Sequence, residues 1–138
     1  MKSLLLACVF CIAVPGGTAM ADGSYTGSYP LTITGSDHSD GSYCLTLTDD
    51  GSFGRPHSGS AQLSGGPLIG VQPYGYFQVI SHVLVASAVQ QLGTGENAGL
   101  IFTGPAANGE IRKAVYDQDY GGYENDTGKV EIGQKNGC

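Results

Sequence analysis

In the run Asp37-His38-Ser39-Asp40 an imidazole stands between two carboxylates, with a hydroxyl beside it. A neighbouring carboxylate raises a histidine's proton affinity and fixes which ring nitrogen carries the proton, which is what general acid–base chemistry requires. Asp and Ser are also the residues a solvated turn selects, because their side chains hydrogen-bond nearby backbone, and the turn is the simpler reading. His57, after Arg55-Pro56, and His82, inside an apolar stretch, have no local partner. A surface-loop role is expected for the first and a satisfied, buried position for the second.

A second cluster lies in Asp117-Gln118-Asp119-Tyr120-Gly121-Gly122-Tyr123-Glu124-Asn125-Asp126-Thr127. Hard cations such as calcium take several oxygen ligands from a flexible loop, so Asp117, Asp119, Glu124 and Asp126 form the best candidate metal set. An EF-hand loop would need an acid at its twelfth position, and counted from Asp117 that position is Gly128, so the run departs from the pattern. A plain acidic hairpin loop is therefore expected, and no metal, cofactor or catalytic residue is assigned. Asn125-Asp126-Thr127 matches the N-glycosylation acceptor, which matters only in a glycosylating secretory route.

The tyrosines are a further resource. Tyr74, Tyr76, Tyr116, Tyr120 and Tyr123 gather near expected strand ends, where an amphipathic ring can meet sugars, peptides or other aromatics. The competing reading is that tyrosine simply suits half-buried strand positions. Zinc-spaced cysteine and histidine sets, phosphate-cradling glycine motifs, a nucleophile elbow and a metalloprotease helix are all missing from the sequence.

The elements that must position these residues read as strands. Gly27-Ser28-Tyr29-Pro30-Leu31-Thr32-Ile33-Thr34 is nearly repeated as Gly41-Ser42-Tyr43-Cys44-Leu45-Thr46-Leu47-Thr48. Both alternate large apolar with small polar residues, the period of a half-buried strand, and the turn formers between them predict a hairpin. Pro30 has no backbone donor, which suggests a strand beginning or an edge. Six more candidates follow between glycine-rich breaks: Ser58 to Leu63, Tyr76 to Ile80, Val83 to Gln90, Gly99 to Thr103, Glu110 to Tyr116 and Lys129 to Gly133. Short sequential connections predict an all-β antiparallel meander of about eight strands closing as an up-and-down barrel. A two-sheet sandwich stays open, as does an α+β fold should Ser81 to Leu92 form a helix capped by Ser81 and ended by Gly93.

Residues Met1 to Ala21 have the order of a cleavable secretory signal: Lys2, an apolar run from Leu4 to Val14, a break at Pro15-Gly16-Gly17, and the small-x-small triplet Ala19-Met20-Ala21. The run is too short to span a bilayer core, which takes about 20 residues. A lipid anchor on Cys8 would leave too little apolar chain before it. The expectation is a signal peptide at 1–21 and a single β-domain at 22–138 that is secreted or periplasmic. Losing Lys2 takes the formal net charge from −6 to −7. Nucleic acid and anionic lipid surfaces would be repelled, so no nucleic-acid and no membrane partner is expected for the mature, monomeric chain.

Cys8 and Cys11 would leave with the signal, so Cys44 and Cys138 remain as the expected disulfide of an oxidising compartment. Pairing of Cys138 between two chains is the rival. Cys44 shares the Thr46 and Thr48 face, so the bridge should clamp the outside of the sheet, with the C-terminal tail folded back over it. The function expected from all this is non-enzymatic binding of a small molecule, glycan or protein surface through loops. The alternative is a small hydrolase or lyase using a histidine or a carboxylate pair at the barrel mouth.

Overall fold

The computed structural model describes residues 23–37, 39–68, 70, 75–91, 97–111, 114–120 and 124–138, with side chains left out of account at 89–99 and 114–127. Within them the chain is all-β: β1 (Gly27–Thr34), β2 (Gly41–Asp49), β3 (Ser58–Gly65), β4 (Gly75–Ile80), β5 (Val83–Gln91), β6 (Asn97–Ala107), β7 (Glu110–Ile111), β8 (Ala114–Tyr120) and β9 (Glu124–Ile132). Each strand pairs antiparallel with its neighbour in the order β5-β4-β3-β2-β1-β9-β8-β6, and a β5–β6 ladder joins the two ends of that row. The sheet thus curls round on itself as a nearly closed up-and-down barrel, which leaves no long free edge. The sandwich alternative falls, because one continuous sheet carries every long strand described.

Ser81 to Leu92 is a strand where described, not a helix. Ser81 and His82 have φ of 50° and 64°, and together they make a two-residue turn that lets Ile80 pair with Val83. That double left-handed geometry matches the twist of a hairpin. Valine's stiff branched side chain then favours the extended backbone over the helix. Asn108-Gly109 makes the same kind of turn, with φ of 53° and 76°, and sets Ala107 opposite Glu110.

Alternation sorts the wall as the pattern predicts. Tyr29, Leu31 and Ile33 from β1 and Tyr43, Leu45 and Leu47 from β2 are buried, with Leu63, Phe77, Leu84, Leu100 and Phe102 from other strands. Thr32, Thr34, Thr46, Thr48, Gln62, Lys129 and Glu131 face outward and are exposed. At these described positions the wall is apolar inward and polar outward. Small eight-stranded barrels are just wide enough for side chains to fill them, and here the described inward side chains form one buried apolar cluster.

Two expectations shift in detail. Pro30 is the fourth residue of β1 and lies inside the sheet, opposite Cys44. Its missing N–H falls where the β1–β9 ladder has already ended, since that ladder begins at Leu31 opposite Ile132. The acidic segment is also less of a loop than expected. Asp117 pairs with Thr127 and Asp119 with Asn125, so β8 and β9 run through most of it.

Cys44 and Cys138 form the expected bridge, with Cα atoms 6.0 Å apart. The tail returns across β1: Gly133 N–H donates to Pro30 O at 2.7 Å and Asn136 N–H to Ser28 O at 2.5 Å.

Candidate functional site

The repeated Gly-Ser-Tyr opens β1 at one end of the barrel and β2 at the other. At what we call the base, the Tyr29 hydroxyl donates to Tyr25 O at 2.8 Å, with Gly109 O at 3.4 Å. At the far end the Tyr43 hydroxyl donates to Ser39 O at 2.6 Å. Each ring reaches back four residues and fixes the segment that covers its own end of the core, since a buried phenol must find an acceptor.

The base gathers the titratable groups. Asp49 ends β2 and His57 immediately precedes β3. The loop between them folds tightly, with the Asp50 and Gly51 amides donating to Ser58 O at 3.1 and 2.8 Å. This closure sets His57 Nδ1 3.0 Å from Asp49 Oδ2, with the carboxylate 4% and the histidine side chain 19% exposed. The Tyr25 N–H donates to the same oxygen at 3.0 Å. The Tyr25 ring meets His57 edge-on, with centroids 5.2 Å apart. Lys135 Nζ donates to Ser24 O at 2.5 Å from the C-terminal tail. Residues 24 and 25 are thereby held by three distant parts of the chain.

This concentration of negative charge is felt by Tyr29. Burial first, then the neighbouring Tyr25, Asp49 and Glu110, push its hydroxyl up to about 12. Tyr29 is a neutral donor at any physiological pH.

An imidazole oriented by a buried carboxylate can serve as a general base. Here the same carboxylate oxygen is shared with a backbone amide, and the neighbouring Ser58 hydroxyl, itself buried, donates to Arg55 O at 3.0 Å. The arrangement clamps the N-terminal segment into the base.

Beside the clamp the wall opens. Among the described residues the β8–β9 ladder reaches to Ala114 opposite Val130, and β7 pairs with β6. Between β7 and the end of β9 lies a cleft of about 580 Å³, lined by Tyr29, Glu110, Ile111, Ile132, Gln134 and Lys135 among others. That volume falls in the range of small-ligand sites, roughly 300–1,000 Å³. Its chemistry is mixed: a tyrosine floor, two isoleucines, a carboxylate and an ammonium.

The residues singled out by sequence distribute as follows. In the loop 35–40, Ser36 N–H donates to Asp40 Oδ1 at 2.8 Å and Ser39 N–H to Ser36 Oγ at 2.9 Å, as a self-capped turn requires; His38 lies outside the described residues. His57 is not a solitary loop histidine but the partner of Asp49, eight positions earlier. His82 is exposed at a turn rather than buried, because the left-handed turn between β4 and β5 takes it out of the ladder. Asp117, Asp119, Glu124 and Asp126 fall on β8 and β9, and Tyr116 and Tyr120 on β8; these side chains, with Tyr74 and Tyr123, lie outside the described residues. No group of three or more potential metal ligands occurs among the described residues. Asp49 and His57 are within reach of a hairpin argument, since pairing Asp49 with Gly59 leaves His57 only two residues beyond that rung. Glu110 and Lys135 carry no local signal.

No family model matches the chain, and no curated protein or solved structure is significantly similar to it.

Proposed function

We propose that this chain is an exported, non-enzymatic β-barrel that binds a small amphipathic ligand in the cleft between β7 and the end of β9. The observation that carries this reading is the contrast between an interior occupied by an apolar cluster and a lateral cleft where, among the described residues, Glu110 and Lys135 converge. With side chains in the interior, recognition falls to the wall. Glu110 and Lys135 suit a molecule with both an amine and a carboxylate or other acceptor, and Tyr29, Ile111 and Ile132 suit its apolar part. Export is supported by the n-region, apolar run and cleavage triplet of residues 1–21 and by a disulfide that reducing compartments disfavour. The acidic balance supports a protein without nucleic-acid or anionic-lipid partners.

The test is a nuclear magnetic resonance screen of the mature chain against a cocktail of amine- and carboxylate-bearing fragments. Binding should shift the amides of 110–111 and 132–135, and Gln134→Trp, which fills the cleft from an exposed position, should abolish those shifts. Shifts confined to other surfaces would overturn the reading. A hydrolase or lyase is the second reading, and its one support is the His57–Asp49 pair. His57→Ala should leave fragment binding intact if that pair is a clamp.

A further inference from the structure

All the exposed large apolar side chains among the described residues fall on one side of the barrel: Phe53, Tyr76, Ile80, Val83 and Ile101, between 42% and 52% accessible. The register lines them up in rows across β4, β5 and β6. Tyr76, Ser87 and Ile101 are cross-strand neighbours, then Gln78, Val85 and Thr103, then Ile80, Val83 and Pro105. None of these outward positions is charged, in a chain with net charge −6. Phe53 leans on Tyr76 from the β2–β3 loop, ring centroids 5.8 Å apart and planes tilted 57°, and Ser60 flanks Tyr76 on β3.

We infer that this face is a binding site for an uncharged oligosaccharide, distinct from the cleft. Three strands about 4.8 Å apart, read over five residues at about 3.4 Å each, offer about 250 Å² before Phe53 is added. A stable protein interface takes about 800 Å² per partner. The face is too small for a stable dimer and fits a ligand of two or three sugar rings. Its rows alternate as a sugar does. Aromatic and aliphatic rows stand about 14 Å apart along the strands, with Gln78 and Thr103 between them and Ser60 and Ser87 beside the rings. A pyranose presents C–H groups on its faces and hydroxyls at its rim. Those C–H groups, polarised by attached oxygens, are drawn to the electron-rich ring faces, and neutral amides and hydroxyls pair with the rim. The absence of charge across the block selects a neutral glycan over a uronic or sulfated one. A paired sheet also holds its side chains ready, so little ordering is lost on binding.

The experiment is a screen of the mature chain against immobilised neutral glucan, galactan, mannan, xylan and chitin oligosaccharides, followed by amide-shift mapping of any hit. The expected result is binding of at least one class, with shifts confined to β4–β6 and the Phe53 loop. Phe53→Ala and Tyr76→Ala should each weaken binding at least tenfold while the remaining spectrum stays folded, and Gln134→Trp in the cleft should change nothing. Failure of every neutral class to bind would overturn the inference. So would sedimentation showing a dimer that Tyr76→Ala dissolves, which would assign the face to a second copy of this chain.

Discussion

The two ends of the barrel are closed by the same device and supported by different ones. At the far end the segment under Tyr43 is a hairpin loop whose hydrogen bonds span three or four residues. At the base the segment under Tyr29, residues 24–25, is held across 24 residues to Asp49 and 111 to Lys135. Each end is also topped by a left-handed glycine. A Cβ on Gly66 would stand 2.4 Å from the Tyr43 ring, and one on Gly109 would stand 2.6 Å from Ser24 O. A closure built from neighbours in sequence survives loss of distant contacts. A closure built from distant contacts fails when any of them is removed, and that is the end where the cleft opens.

Breaking the covalent tie is the largest perturbation. Reducing the Cys44–Cys138 bridge, which closes a sequence separation of 94, should cost up to about 4 to 5 kcal/mol by the chain-entropy argument. Calorimetry with and without reductant reads the drop in Tm. Hydrogen exchange should show the amides of 25–29 losing protection before those of 39–43, and simultaneous loss would erase the contrast between the ends.

Truncating the ring that fills the base, Tyr25→Ala, should cost about 3 to 5 kcal/mol, the usual range for emptying a large aromatic site. Urea denaturation measures it, and a cost under 1 kcal/mol would mean that Tyr25 is no plug.

Asp49→Ala leaves the Tyr25 amide without its acceptor, for about 1 to 3 kcal/mol. Asp40→Ala removes a similar acceptor from the Ser36 amide, but across only four residues of a turn that can rearrange locally, and should cost no more than about 1 kcal/mol. Equal costs for the two variants would contradict the distinction between long-range and local support.

Alkaline titration probes the base without mutation. Tyr29, pushed up to about 12 from the ordinary 10.0, contributes stability that is complete below pH 10.0 and is lost as pH climbs towards 12, because only the unfolded chain then hosts the phenolate readily. Phenolate absorbance should show a late ionisation step that Tyr29→Phe removes.

The smallest effect is a gain. Replacing Ser81-His82 by Asn-Gly relieves two left-handed non-glycine residues and should raise stability by about 1 kcal/mol, an increase in Tm that involves neither end.

Much of the wall is legible along the chain because alternation is a local property. Tyr29, Leu31 and Ile33 declare their face without reference to any other strand, and so does Cys44 on the opposite one. The acidic stretch from Asp117 to Asp126 hides its strands for the same reason: it lacks the large apolar alternation that marks β1 and β2. His57 looked partnerless because hairpin closure, rather than sequence adjacency, brings Asp49 to it.

By itself the sequence determined the all-β class, the strand periods, the paired hairpins and the outer position of the Cys44 bridge, all of which follow from which side chains want water. Only the tertiary structure decided that β1 meets β9 and that residues 24–25 are clamped into the base by Asp49 and Lys135. Those depend on register between segments far apart in the chain, where the free energy of closing the sheet, and no local preference, selects the partner.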